Sequence, residues 1–456
     1  MKVLLIKPWE NSFNWYHSHM LSIAYLAGYI RNLGHEIEII DAAFDHLNQD
    51  QVLNKIKATQ ADVIGVTSMT HEIPKARIIF KYIKSINPLI QTVIGGPHAS
   101  AMPKEVMEEI PEIDFAVAGE GERPLELLLQ KIESQDINYY DIKGLAFRKG
   151  NEVCYNGSQD CYLDLKKIPQ PAVDLYYTKD WFKNNKKSEY RIFASRGCPF
   201  HCSYCMRVLG NKVRWRDPDD IIEEWIKAVR YYGAKVVFFH DEIFLYDNPN
   251  THAILDKIIE SGIQKEATFN AMTHVNLINE EILEKAKKAN CYKICIGIES
   301  GNNEILKRIH RNYTINEAYE AVRKIKKYNI RPFAFYILGH PGESRKTVWD
   351  TILSAVRINP FEIGMGIMVP YPGTEIFKLA KENKEGYMLT DVDWDGYNRY
   401  GNSAMKFKNF TNRQLLFYQI IGNLLFYILN GKFIGLYNYL RPKIKAVFRL
   451  LSGKKL

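Results

Sequence analysis

Short runs of β-branched and aliphatic residues recur over the first 135 positions, at 2–6, 36–40, 62–66, 91–94 and 115–117. Between them lie stretches at 21–33, 74–86, 104–110 and 124–132 whose apolar residues repeat with the period of a helix. Five strands separated by helices predict a doubly wound parallel sheet, in which ligands bind beyond the carboxyl ends of the strands. Residues 136–188 are polar and irregular, with Gly144, Gly150, Gly157, Pro169 and Pro171, which suits a linker with a small hairpin. A second series begins at Tyr190, with strands expected at 191–194, 235–239, 267–270, 293–298, 332–337 and 364–369. The helices between them fall at 219–232, 250–261, 279–289, 303–328 with a break near Tyr313, and 344–358. Six such units predict a partial β/α barrel of the TIM type with its chemistry at the carboxyl ends of the strands. The expected α/β organisation is a Rossmann-like sheet domain at 1–135, a linker at 136–188, a partial barrel at 189–400 and a helical carboxyl-terminal tail at 401–456.

Charge changes this picture in one place. The chain of 456 residues carries a net charge of +9, but eight basic residues and no acidic one lie at 410–456, so the rest of the chain carries only +1. That excludes a nucleic-acid-binding face over the main body. The tail alternates Leu, Phe and Tyr with Lys and Arg, a composition that suits either packing on the barrel as a lid or lying on an anionic membrane surface. A lysine and Pro8 interrupt the apolar start, and the longest uncharged run, 414–431, contains two Gln and two Asn, so no signal peptide or spanning helix is expected and the reducing cytoplasm is.

The seven cysteines are odd in number, and three of them, Cys198, Cys202 and Cys205, crowd the loop after the first barrel strand. Three thiolates in the pattern Cys-x-x-x-Cys-x-x-Cys can hold three irons of a 4Fe-4S cluster and leave the fourth open for substrate chemistry. A zinc site completed by His201 or a distant cysteine is the alternative. Cys291 and Cys295, four apart in the fourth barrel strand, are expected on one face as packing residues, and Cys154 with Cys161 as a chance pair of free thiols. Other strand ends carry polar groups: His240, Asp241 and Glu242; Glu299 and Ser300 between Gly297 and Gly301; Gly339 to Glu343; Pro370 to Glu375. Singly, each carboxylate there could do no more than cap the next helix.

The cysteine loop with these strand ends resembles the radical S-adenosylmethionine family, over nearly the whole chain. The resemblance implies that Cys198, Cys202 and Cys205 bind the cluster and that the S-adenosylmethionine amino and carboxylate groups chelate its open iron. One electron then cleaves the sulfonium to methionine and a 5'-deoxyadenosyl radical. It places Tyr204 by the adenine, Glu242 near the methionyl amino group, and Glu299 and Ser300 near the ribose or carboxylate.

The amino-terminal sheet is similar to the cobalamin-binding domain that precedes the barrel in a large subfamily of these enzymes. The matching stretches surround Thr67 and Ser68, Gly95 and Gly96, and Gly119, Glu120 and Gly121 with Glu122. None of the 12 histidines has Asp two positions before it, so the Asp-x-His-x-x-Gly motif that supplies a lower ligand to cobalt is missing. Bound cobalamin is then expected with its nucleotide tail in the sheet and no histidine from that motif on cobalt. No Gly-x-Gly-x-x-Gly follows the first strand, which disfavours a nicotinamide cofactor; a flavodoxin-like docking module remains open. The first 153 residues lack cysteine, which excludes the extra cluster cysteines of methylthiotransferases. His71, His98 and His340 lie at strand ends where each is either a satisfied polar side chain or a contact to corrin or substrate.

The expected activity is methyl transfer to an unactivated carbon of a small-molecule or lipid-like substrate, yielding both 5'-deoxyadenosine and S-adenosylhomocysteine. The rivals are oxidative cyclisation or rearrangement on the same cofactors, and a non-catalytic corrinoid-binding or zinc-stabilised module. An external one-electron reductant such as flavodoxin or ferredoxin is implied. Trp394, Tyr397 and Tyr400, in the segment 391–401, are candidates for capping the substrate pocket.

Overall fold

The computed structural model describes residues 1–10, 18–159, 162–390, 393–399 and 404–451. The amino-terminal strands are β1 (Lys2–Lys7), β2 (Glu36–Asp41), β3 (Val63–Thr67), β4 (Gln91–Gly95) and β5 (Phe115–Val117). They pair in the order β2-β1-β3-β4-β5, all parallel, so the strand order reverses beside β1. Alternation along each strand feeds two cores: Leu4 and Ile6 join Ile64, Ile94 and Phe80 on one face, while Val3 and Leu5 join Val63, Val93 and Leu128 on the other.

The hairpin expected in a linker is part of this sheet. Strands β6 (Leu145–Lys149) and β7 (Glu152–Tyr155) add to β5 antiparallel, burying Leu145, Ala146 and Phe147, and the sheet thereby runs to Tyr155. An unpaired β5 would leave a row of backbone donors and acceptors exposed, and the hairpin covers it. Cys154 lies on β7; Cys161 falls outside the described residues.

The barrel strands are β8 (Tyr190–Ile192), β11 (Val236–Phe239), β12 (Thr268–Thr273), β13 (Cys291–Glu299), β14 (Arg331–Leu338) and β15 (Glu362–Ile367), with the ribbon β9 (Ser195–Arg196) and β10 (Arg214–Trp215) inserted after β8. The six pair in sequence order, all parallel, and do not close. One face of each strand is sealed by helices, through Val237, Phe269, Ile294, Ala334 and Ile363, whereas Arg191, Phe238, Met272, Phe333 and Phe335 on the concave face stay partly accessible. Cys291 and Cys295 do not share a face as expected. The register slips at Tyr292, so Cys291 pairs beside Phe269 in the helix-side core and Cys295 beside Met272. A bulge of this kind adds one residue and inverts the alternation beyond it.

Two contacts fix the sheet domain on the barrel. Helix Leu21–Asn32 lies so close to the segment at 170–172 that a side chain on Gly28 would overlap the Gln170 carbonyl, and Ala172 N–H donates to the Ala24 carbonyl at 2.9 Å. Tyr25 of the same helix enters a fully buried network: its hydroxyl donates to Glu224 (2.7 Å) and accepts from Arg216 (2.7 Å), Arg216 also donates to Glu224 (2.8 Å) and to the Phe193 carbonyl (2.9 Å), and Tyr190 donates to Glu224 (3.1 Å). Beyond the barrel, helix Asn412–Leu429 packs on the outside of β15, where Gln419 donates to the Met365 carbonyl at 2.8 Å and Leu415 and Phe426 are wholly buried. Among the described residues no helix is long and apolar enough to cross a membrane.

Candidate active site

The three cysteines follow the β9 strand on a loop that folds back to β10. Gly197 makes this possible: it has φ +99°, and a side chain on it would overlap the Lys212 carbonyl oxygen. Cys198 N–H donates to the Gly210 carbonyl (3.3 Å), Cys205 N–H to that of Cys202 (3.1 Å), and the Ser203 carbonyl accepts from Ile376 (3.3 Å), which anchors the loop to the far side of the barrel. Gly197→Ala is expected to displace Lys212 and lower iron incorporation several-fold, with the cobalt content as internal control.

The donor set fits an iron-sulfur cluster. Burial pushes the Cys205 thiol up to about 11, with Cys202 and Cys198 next among the causes, and burial likewise raises Cys198, so the three sulfurs share one site. Alone, Cys198 and Cys205 would stay protonated; cationic iron is what makes such thiols ionise.

Glu242, just beyond β11, lies beside these thiols. Burial raises its carboxyl, the Gly197 N–H bonds to it, and its charge is felt by Cys198 and Cys205. Its neighbour Asp241 instead holds the barrel together, accepting from the backbone of Ala194 (3.1 Å) and the hydroxyl of Ser195 (2.6 Å), and is pushed up to about 7 by burial. Glu299 ends β13 in the left-handed region, at φ +65°, where the β14 register also shifts. Such backbone in a non-glycine residue is strained and marks a position held for its side chain. One carboxylate oxygen accepts from Arg311 (2.7 Å), whose Nε donates to the Tyr204 hydroxyl (3.1 Å); the other, Oε2, is buried without a partner. Ser300, by contrast, is fully buried with its hydroxyl on Thr351 (3.2 Å).

At the end of β14, His340 is buried with Nδ1 unpartnered and its ring 6.0 Å from that of Tyr204; burial lowers it to about 4, so it is neutral. Glu343 accepts from the backbone N–H groups of Gly339 (2.6 Å) and His340 (3.2 Å), and burial pushes it up to about 8. A folded-state carboxyl raised in this way stabilises the protein below the ordinary carboxylate range, and that stabilisation is lost as pH rises toward 8. Thermal melts should therefore show wild type losing stability relative to Glu343→Gln between pH 5 and 8, by about 1 to a few kcal/mol. At the sixth strand end, Thr374 caps helix Glu375–Lys381, and Glu375 is a half-exposed partner of His310.

On the sheet side, a side chain on Gly95 would meet nothing within 4 Å, whereas Gly96, at φ +95°, lies against Thr67 and Ser68. The hydroxyl of Ser68 and Nε2 of His98 are buried and unpartnered, so two polar atoms lie orphaned at these strand ends. Trp394 lies on His98, ring centroids 4.7 Å apart, and on Tyr397 at 5.0 Å; Tyr400 falls outside the described residues. His71 is partly buried and lowered, chiefly by burial.

The stretch at 119–122 is occupied differently. Arg196 donates to Glu122 (2.6 Å) and pairs with Glu120 (3.2 Å), and Arg214 also bonds to Glu120, so both carboxylates face the ribbon that carries the cysteine loop. Gln159 covers Gly119, and Gly121 abuts Leu26. Beside this latch a cavity is lined by Ser100, Gly119 and Gln159 from the sheet domain and by Met206, Arg207 and Pro372 from the barrel.

Arg196, Arg214, Arg311, His274 and Tyr313 were not legible as site residues. Tyr313 donates to the carbonyls of Gly297 (2.8 Å) and Ile298 (3.1 Å), and His274 stacks on Phe200 of the cysteine loop at 3.8 Å. The interrupted helix before Tyr313 was the one signal in the sequence.

Residues 16–129 match the B12 binding domain family and residues 192–355 the Radical SAM superfamily. An uncharacterised methyltransferase of Pyrococcus horikoshii is 30% identical over 433 residues, 94% of this chain and 90% of that protein. The anaerobic magnesium-protoporphyrin IX monomethyl ester cyclase of Cereibacter sphaeroides is 27% identical over 86% of this chain and 64% of its own length. In fold, the chain is similar to the radical S-adenosylmethionine methyltransferase TsrM of Kitasatospora setae, solved with cobalamin and a [4Fe-4S] cluster, with TM-score 0.75 and 17% identity over 92% of this chain and 90% of that one. With both domains in this order and a relative matched nearly end to end, the chain belongs to the cobalamin-binding radical S-adenosylmethionine enzymes.

Proposed function

We propose that the protein is a cobalamin-dependent methyltransferase that adds a methyl group to an unactivated carbon of a small or lipid-like molecule. The observation that supports this reading is a cavity lined jointly by Ser100 and Gly119, beyond the ends of sheet strands, and by Met206 and Arg207, next to the last cysteine of the loop. When bound, the cluster with S-adenosylmethionine supplies a 5'-deoxyadenosyl radical and methylcobalamin supplies the methyl group.

This chain's residues would hold and orient these groups. Cys198, Cys202 and Cys205 would ligate three irons, and partly buried Glu242 beside them would accept the methionyl ammonium. Arg311 fixes Tyr204 and one oxygen of Glu299, which leaves Oε2 of Glu299 to accept from the ribose. Ser300 would act by positioning Glu299, since its own hydroxyl is engaged with Thr351. Thr67, Ser68, Gly95 and Gly96 would line the cobalamin nucleotide tail, where the open space at Gly95 lets a ligand approach backbone. Gly119 and Gly121 would border it, with Glu120 acting through the latch to Arg196 and Arg214. Cys205 has accessible surface although its sulfur is crowded by Cys202 and Cys198, so this side of the loop is where an external reductant such as flavodoxin or ferredoxin would approach.

The test is product analysis of anaerobic turnover with candidate substrates. Methyl transfer requires S-adenosylhomocysteine to accumulate in step with 5'-deoxyadenosine. Deoxyadenosine alone, with a dehydrogenated or ring-closed product, would replace this reading with oxidative cyclisation; the Cereibacter sphaeroides relative is named a cyclase.

A further inference from the structure

At the amino-terminal end of the barrel, opposite the cysteine loop, a cavity of about 340 Å³ is lined by Lys326, Arg331, Asn359, Phe361 and Lys432 with no acidic residue. A phosphate group occupies only a few times the ~30 Å³ share of one water. Lys326 and Arg331 are exposed at the rim of this hollow; like charges gathered there repel one another, and an anion seated among them relieves that repulsion. Neither the Lys326 nor the Arg331 side chain has a hydrogen-bond or ion-pair partner among the described residues. Lys432 donates only to the carbonyls of Pro360 (2.6 Å) and Phe361 (3.2 Å). Burial and the charge of Lys326 lower Lys432 to about 8, while the carboxylate within reach, Glu362, forms no ion pair.

Arg331 is held in place. Its guanidinium lies 4.4 Å from the ring centroids of both Tyr292 and Phe361, so the plane is fixed and the N–H edge is left for a planar, bidentate acceptor. Apolar side chains next to Lys432 point into solvent: Leu429 is 61% exposed, Phe433 66% and Ile434 81%. A cationic cavity beside exposed Leu, Phe and Ile has the chemistry of a phospholipid interface, headgroup on one side and acyl region on the other.

We propose that this cavity is a receptor for a phosphate group and that its source is the headgroup of an anionic phospholipid, which seats the protein on a membrane by its barrel bottom. This holds whichever reaction the opposite end performs, and its test does not depend on turnover. Full-length, anaerobically purified protein is sedimented with phosphatidylglycerol–phosphatidylcholine vesicles and with phosphatidylcholine alone, at about 0.1 M salt. Wild type should bind the anionic vesicles, and Lys326→Gln/Arg331→Gln should weaken that binding about tenfold or more. Lys432 is left intact because it bonds to the barrel backbone, and unchanged circular dichroism and melting temperature of the variant show that it folds. Ile434→Asp, on a side chain 81% exposed, should weaken vesicle binding without touching the cavity. Equal binding by wild type and the double variant, or equal binding to neutral vesicles, overturns the proposal. Inorganic phosphate that raises the melting temperature of wild type but not of the double variant, without vesicle binding, overturns the lipid source and identifies free phosphate instead.

Discussion

Alanine in place of Cys198, Cys202 and Cys205 together is expected to remove iron and acid-labile sulfide from the anaerobically purified protein while leaving cobalamin bound. Wild type reconstituted with hydroxocobalamin should carry about four irons and one cobalt per chain, and the variant one cobalt only. S-adenosylmethionine cleavage under reductant should fall to background, because the variant loop keeps no thiolate, and the other described cysteines, Cys154, Cys291 and Cys295, lie on strands away from it. Retention of cobalt is the informative half. The sheet domain has its own two cores, and Gly96 at its strand ends lies against Thr67 and Ser68, not against the barrel. Iron without cobalt in wild type would demote the sheet to a docking or substrate domain and remove methyl transfer from consideration; zinc in place of iron would exclude radical chemistry.

Arg216→Met should produce the largest loss of stability of any single change outside the cysteine loop. Arg216 and Glu224 have side-chain exposures of 0% and 2%, and the guanidinium also holds the Tyr25 hydroxyl of the sheet domain. Removing it leaves the Glu224 carboxylate buried with only tyrosine hydroxyls as partners, which costs about 3–5 kcal/mol for a pair broken on one side. Chemical denaturation should show this as a lower midpoint. Arg216→Met/Glu224→Leu should recover much of the loss, since no charge then remains without its counterpart. If the double variant is no more stable than the single one, the cost lies in lost packing, and the buried pair is not what joins the two domains here.

The two sheets were legible because each strand is a compact β-branched run and each helix between them has its own period. Glu36–Asp41 and Arg331–Leu338 begin and end within a residue or two of expectation. The cysteine loop was legible for a related reason: its three ligands lie within eight positions, so the chemistry is local. What stayed hidden depends on partners far apart in sequence. Arg196 and Glu122 are 74 positions apart, Tyr25 and Arg216 191, and neither member of either pair stands out in its own neighbourhood. The hairpin at 145–155 was recognised as a hairpin but not as sheet, because nothing in its own residues says which edge it will join. The slip at Tyr292 was equally invisible, since Cys291 and Cys295 keep the spacing of an unbroken strand.

The latch from Arg196 and Arg214 to Glu120 and Glu122 also has a meaning in time. The two carboxylates leave the ribosome 74 to 94 positions ahead of the arginines that cover them. A chain under synthesis therefore completes the five parallel strands with both charges still in water, and dries them only when the β9–β10 ribbon emerges and docks. Cys198 follows Arg196 by two positions, so the segment destined for iron is pulled to its berth by the event that seals the earlier domain. Nascent chains halted with residue 216 still inside the ribosomal tunnel, and others long enough for it to have cleared the tunnel, should differ in protease resistance at 119–122, with protection arriving only in the longer one.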